Sequence, residues 1–289
     1  MQKWGPGRAG APDQGSEGYM DEPQRPHGDT AGAEGVAVEA EGLGLKGPRG
    51  WAFRGVGFHA AAGALVAIEG PSGSGRTCLL LALTGRMRFS EGHAEVGPHR
   101  LPRHMAAVRR IGALAHVPGV TDLDPALTVG EHLRERALLE RRFGGSVRGS
   151  LRGLLRPRAG VTAEATPRVE GALAAAGLAP ETLPKGSRTA VRDLERLEAL
   201  RLSVALALIG RPRLLGVDDV ALKLSDAERS EAWALLGSLA AAGTTVLAVC
   251  SEAPEGAVRV RTSDAHEEPA PTNDDSEETA DALAEAGRA

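Results

Sequence analysis

Residues 70–80 read GPSGSGRTCLL, with three glycines and two serines in the first six positions, then a cation, a hydroxyl and an apolar run. Glycines at this density let a backbone wrap closely around an anion and point its amides inward. The stretch after them, TCLLLALTGRM (Thr77 to Met87), has a helical pattern ending near Gly85, so the loop opens onto a helix N-terminus with its partial positive charge. The stretch before them, AGALVAIEG (Ala62 to Gly70), is short, apolar and β-compatible. Strand, glycine loop and helix in this order predict a phosphate cradle from Gly70, Pro71, Ser72, Gly73, Ser74, Gly75, Arg76 and Thr77, filling the frame G-x-x-x-x-G-[KR]-[ST]. Thr77 offers its hydroxyl to Mg²⁺. A plain Gly/Ser turn is the competing reading, and the flanking strand and helix weigh against it. A nucleophilic Ser72 or Ser74 is rejected, because no G-x-S-x-G elbow fits here.

Outward from the loop, helix-like and strand-like segments alternate. VRRIGALAHV (Val108 to Val117) contains a strand. The chain is helical and Arg-rich from Leu127 to Leu183, and LERLEALRLSVALALIG (Leu194 to Gly210) is an amphipathic helix. PRLLGVDD (Pro212 to Asp219) is a buried strand ending in two carboxylates. LSDAERSEAWALLGSLAAAG is a helix, and TTVLAVC (Thr244 to Cys250) reads as the last buried strand. This alternation predicts an α/β fold with a mostly parallel sheet covered on both faces. Residues 1–33 and 263–289 are expected to be disordered tails, the second acidic.

The 289 residues have room for one sizeable α/β domain or two small ones, and aromatics are only 3%, so the core must be built from Ala, Val, Leu and Ile. A formal net charge of -4 argues against nucleic acid as a partner. Cys78 and Cys250 sit in apolar runs, as reduced thiols of a cytosolic protein do. No run is long and apolar enough for a membrane span or a signal peptide, so the expected location is cytoplasmic, and any membrane role must come through a partner.

Asp218, about 140 residues beyond the loop, falls at the carboxyl end of a buried strand. A carboxylate there can hold Mg²⁺, and Asp219 beside it can orient an attacking water. For a lone strand-end Asp a turn or helix cap is the usual role; the pairing with the loop favours the metal.

These blocks together, GPSGSGRT, LTVGEHL, LALIGRPRLLGVDD, LSDAER and GTTVLAV, resemble the ATPase domain of ATP-binding cassette (ABC) transporters over roughly Val36 to Val260. The resemblance implies a P-loop NTPase fold: a RecA-like core, a helical subdomain inserted at about 127–183, and an antiparallel β patch around Val36 to Phe58, within one domain spanning 34–262. It implies ATP and Mg²⁺ as ligands, Asp219 as the catalytic carboxylate, and Thr77 and Asp218 at the metal. It also implies a membrane-embedded protein subunit and a homo- or heterodimer of ATP-binding subunits.

The resemblance thins where the family's hydrolytic parts fall. Arg76 stands for the loop lysine, Cys78 for a hydroxyl that reaches the α-phosphate, and His116 for the glutamine that senses Mg²⁺ and the γ-phosphate. The signature that caps a partner subunit's ATP becomes LERLE, Leu194 to Glu198, with two carboxylates and no glycine. Asp219 is one methylene short of the catalytic glutamate, Ser225 replaces the aspartate of the interface loop, and Ser251 replaces the switch histidine. The adenine-stacking tyrosine aligns near Gly47, with Trp51 or Phe53 as substitutes or as core. Single preorganised contacts are each worth about 10²–10³ in rate. ATP binding with slow hydrolysis is therefore expected, and a hydrolysis-deficient nucleotide-binding regulatory module is the alternative. His116 as a metal ligand is rejected for want of neighbours at ligand spacing. The basic stretch Arg134 to Arg158 is open between a membrane face, an acidic partner loop and a solvated surface.

Overall fold

Leu65 to Ile68 is an apolar run with β-branched Val66 and Ile68; with Glu69 it forms strand β3 (Leu65–Glu69), in which Val66, Ala67 and Ile68 are fully buried. The computed structural model describes residues 34–48, 50–143, 165–220 and 222–262. Expectations for 1–33, 144–158 and 263–289 lie outside the described residues.

Two sheets flank the segment that carries the glycine loop. The first is antiparallel, ordered β2-β1-β4-β5, from β1 (Val38–Gly47), β2 (Gly50–Ala60), β4 (Glu91–Val96) and β5 (His99–Leu101). The β1–β2 hairpin turns at Pro48 and bulges between Ala40 and Leu43. The second is parallel, ordered β6-β7-β8-β3-β9, and adds β6 (Gly112–Leu114), β7 (Leu214–Val217), β8 (Thr245–Cys250) and β9 (Val258–Arg261). Every residue of β7 and β8 is buried, as parallel strands covered on both faces must be.

Helix α1 (Arg76–Leu83) follows the loop, and α2 (Met105–Ile111) precedes β6. One core joins the two sheets through Leu43, Phe53, Ile68, Leu80 and Leu247. On the opposite face of the parallel sheet, α5 (Arg196–Leu208) and α6 (Asp226–Ala241) pack through Leu215, Val217, Val246 and Leu236. A separate cluster of Val129, Leu133, Ala172, Leu178 and Leu202 unites α3 (Val129–Phe143) and α4 (Ala165–Ala175) with α5. This is the helical subdomain, inserted between β6 and β7.

The structure refines three expectations. The strand expected within Val108 to Val117 is β6, Gly112–Leu114, and α2 occupies the residues before it through Ile111. The antiparallel patch extends beyond Phe58 to β4 and β5, both short and polar on their exposed side. Thr244 to Cys250 is followed by a further strand, β9, pairing in parallel with β3 at the sheet edge.

Candidate functional site

Gly75 ends the loop and caps α1 with φ +79°, a left-handed conformation that an L side chain resists. A Cβ there would also collide with the Ala52 carbonyl of β2, whose neighbour Phe53 is core. A Cβ on Gly70 would lie 2.5 Å from the carbonyl and hydroxyl oxygens of Thr262. The loop therefore passes between two backbones, and only glycine fits at both passages.

Below it, Glu69 is buried and accepts hydrogen bonds from Arg261 (2.5 Å) and from the Ala253 amide (3.3 Å). The Arg261 guanidinium, more than any other influence, holds the Glu69 carboxyl below its usual range. Pro71, Ser72 and Gly73 form the exposed tip. Ser74 turns inward, 1% exposed, and its hydroxyl meets that of Thr262 at 2.7 Å. Arg76 donates to the Cys250 carbonyl at 2.6 Å, so its guanidinium reaches across to the end of β8.

Thr77 and Asp218 meet: the Thr77 hydroxyl donates to Asp218 Oδ2 at 2.7 Å. Asp218 is 2% exposed, and its Oδ1 accepts the Asp219 amide at 2.9 Å. Burial pushes its carboxyl above the usual aspartate range, the Thr77 hydrogen bond opposes this, and the Asp219 charge adds to it. Asp219 is half-exposed with φ +48°, one of the left-handed conformations that aspartate tolerates. His116 lies beside them, its carbonyl accepting the Asp218 amide at 2.7 Å. Cys78, one residue into the helix from Thr77, is half-buried; burial, then the Asp218 charge, raises its thiol pKa.

The structure thus brings Gly70, Gly75, Arg76, Thr77, Cys78, His116, Asp218 and Asp219 around one corner of the parallel sheet. Other residues singled out from the sequence have local partners. Ser225 caps α6, its hydroxyl accepting from the Glu228 amide and its own amide donating to Glu228 at 2.8 Å. Glu195 caps α5, with Glu198 folded back to accept the Glu195 amide at 2.9 Å. Ser251 is exposed beyond β8. Phe53 is core, 1% exposed, while Trp51 lies between Lys46 and Arg54, whose charges sit 5.6 and 4.6 Å from its ring centre. Thr262 and the Cys250 carbonyl are the residues that sequence reasoning missed. The alternation in VRVRT was the one signal pointing to β9 and so to Thr262.

The donor set suits a nucleoside triphosphate with Mg²⁺. A hydroxyl and a carboxylate of the hard-oxygen type stand in contact at the base of a glycine loop that excludes side chains at two points.

A family model described as ABC transporter matches residues 53–221. The chain is 32% identical over 197 residues to a daunorubicin resistance ATP-binding protein of Streptomyces coeruleorubidus, covering 68% of this chain and 54% of that protein. It is 30% identical over 194 residues to a Nod factor export ATP-binding protein of Paraburkholderia xenovorans, covering 67% and 55%. The chain spans about half the length of these curated relatives. A bacterial ABC transporter cassette solved as a dimer shares the fold with a TM-score of 0.59 at 18% identity, covering 79% of this chain and 95% of that one. CbiO1 of Clostridium perfringens, part of the ABC transporter complex CbiONQ, gives a TM-score of 0.59 at 18% identity, covering 76% of this chain and 80% of that one. The chain belongs to the ABC transporter family, with a P-loop NTPase fold. Among the described residues no helix is long and apolar enough to cross a membrane.

Proposed function

We propose that this chain binds Mg·ATP at the Gly70–Thr77 loop, hydrolyses it slowly, and serves a separate membrane protein as its nucleotide-binding subunit. The observation that carries this reading is the 2.7 Å contact between Thr77 and buried Asp218 directly beneath the loop. The loop amides and the α1 N-terminus would hold the β- and γ-phosphates, with Arg76 supplying the cation. Thr77 and Asp218 would hold Mg²⁺, whose charge would offset that developing on the phosphates.

Slow turnover follows from this chain's own residues. Asp219 carries the carboxylate that would orient water, on a shorter stem and on a left-handed backbone. The α5 N-terminus, which the family resemblance assigns to a partner subunit's ATP, here directs its amide at Glu198, and Glu195 adds a second carboxylate. An incoming γ-phosphate would meet two like charges there. That same observation favours a second reading, in which occupancy alone regulates the assembly. Pairing with a second ATP-binding subunit, identical or different, and placement at the cytoplasmic membrane face complete the proposal. The relatives named for export and drug resistance support a transport-linked role.

Calorimetric titration of the purified chain with ATP and ADP, with and without Mg²⁺, tests the site. Binding that Mg²⁺ strengthens, and that Asp218→Ala weakens at least tenfold only when Mg²⁺ is present, is the expected result. No binding of either nucleotide would overturn the reading.

A further inference from the structure

The edge strand β9 runs up to the glycine loop and leaves a hydroxyl against it. The Thr262 amide, just past β9, donates to the carbonyl of Glu69 at 2.9 Å, and Glu69 is the last residue of β3 before the loop. The Thr262 hydroxyl stands 2.7 Å from the Ser74 hydroxyl and 3.4 Å from that same Glu69 carbonyl. A carbonyl can only accept, so Thr262 donates to Glu69 and Ser74 donates to Thr262. Ser74 and Thr262 are each 1% exposed, which leaves no water to replace either partner.

Ser74 is the one buried residue between Gly70 and Gly75; Pro71, Ser72 and Gly73 are exposed. Its neighbours Gly73 and Gly75 hold φ of +89° and +79°. Glycine on both sides gives this part of the chain much freedom, and ordering it on binding costs affinity. A buried contact made in advance removes that cost. The hydroxyl chain from Ser74 through Thr262 to Glu69 is such a contact, and it ties the loop to the strand from which it springs.

We propose that Thr262 is a positioning residue for nucleotide binding, its hydroxyl holding the loop through Ser74 in the shape that accepts phosphate. This rests on the Mg·ATP reading above and adds a residue from the far end of the fold to that site. Without the Thr262 hydroxyl, Ser74 is left buried with an unpaired polar group, a costlier state than one with both hydroxyls deleted. Gly73 and Gly75 then let residue 74 turn outward to water, and the loop changes shape.

Calorimetric titration of the full chain with Mg·ATP and Mg·ADP, well below the melting temperature of each variant, tests the role. Thr262→Val drops the hydroxyl at nearly constant volume and should weaken both nucleotides about tenfold, the factor that a buried unpaired polar group is worth. Thr262→Ser keeps the hydroxyl and should largely restore affinity. Adding Ser74→Ala to Thr262→Val should tighten binding relative to Thr262→Val alone, a gain that misfolding cannot give. Val260→Ala loosens the same strand at a buried side chain, so it should lower Tm while leaving both affinities nearly unchanged. In the nucleotide-free chain, amide hydrogen exchange across residues 70–76 should be faster in Thr262→Val than in the parent or Thr262→Ser. Unchanged affinity in Thr262→Val, equal weakening by Val260→Ala, or equal exchange in all three proteins overturns the positioning role and leaves the nucleotide reading standing. A parent chain that binds neither nucleotide overturns that reading, and the positioning role with it.

Discussion

Asp218→Asn separates what the site costs from what it does. In the folded chain Asp218 is 2% exposed, with its carboxyl pKa raised by burial and by Asp219. A carboxyl whose folded pKa lies above its unfolded value favours folding fully only below the unfolded pKa, and that contribution is lost as pH rises through the folded one. At neutral pH the ionised side chain therefore costs stability. The amide keeps both contacts: its oxygen accepts the Asp219 amide as Oδ1 does, and its NH₂ donates to a Thr77 hydroxyl turned to accept. Relief at one such site is typically about 0.5–2 kcal/mol, and each kcal/mol moves Tm by about 2–4 °C in a domain of this size. The substituted protein should thus melt a few degrees higher without ligand at pH 7.5, with the gain shrinking towards pH 4. Saturating Mg·ATP should add about 2.7 kcal/mol to the parent at a hundred times Kd and far less to the variant. Calorimetric melts with and without Mg·ATP at both pH values measure all four numbers. A variant that melts lower than the parent yet keeps the full Mg·ATP gain would refute the reasoning.

Gly75→Ala places a Cβ against the Ala52 carbonyl at φ +79°; a left-handed alanine costs about 1–2 kcal/mol before the clash is counted, so urea unfolding should show at least that loss together with lost ATP binding. Burial raises the Cys250 thiol pKa from 9.0 to about 11, so stability should fall between those pH values as the unfolded thiol ionises first; denaturation from pH 8 to 11 should show a drop of about 2–3 kcal/mol that Cys250→Ala removes. Asp219→Glu restores the missing methylene and should raise steady-state hydrolysis about tenfold or more while leaving ATP affinity unchanged, as phosphate release will report. Glu198→Ala removes the carboxylate that accepts the Glu195 amide and should cost about 0.5–2 kcal/mol in thermal unfolding.

The glycine-loop corner was legible because its signals are local and dense: an apolar run, glycines where backbone space is short, and helical spacing after Thr77. Asp218 was legible because its strand is continuously apolar. The edge elements were not. VRVR offers two valines between arginines and HRL a single leucine, and their strand character comes from pairing with distant β3 and β4 rather than from composition. Long-range polar contacts were illegible for the same reason: nothing near Arg76 indicates that its guanidinium reaches the Cys250 carbonyl, or that Ser74 turns from the loop to Thr262. The degenerate signature was visible as letters, LERLE. Its meaning as a self-capped helix end needed the Glu198 carboxylate placed on the Glu195 amide.

The central claim is retention without rapid turnover, and one sample can test both halves. The purified chain is mixed with an equimolar amount of Mg·ATP above Kd, and the bound nucleotide is quenched and separated by chromatography over several minutes. The account predicts one nucleotide per chain, recovered largely as ATP over the first seconds. Nucleotide recovered as ADP at a rate near one per second, or no nucleotide bound at all, would contradict it.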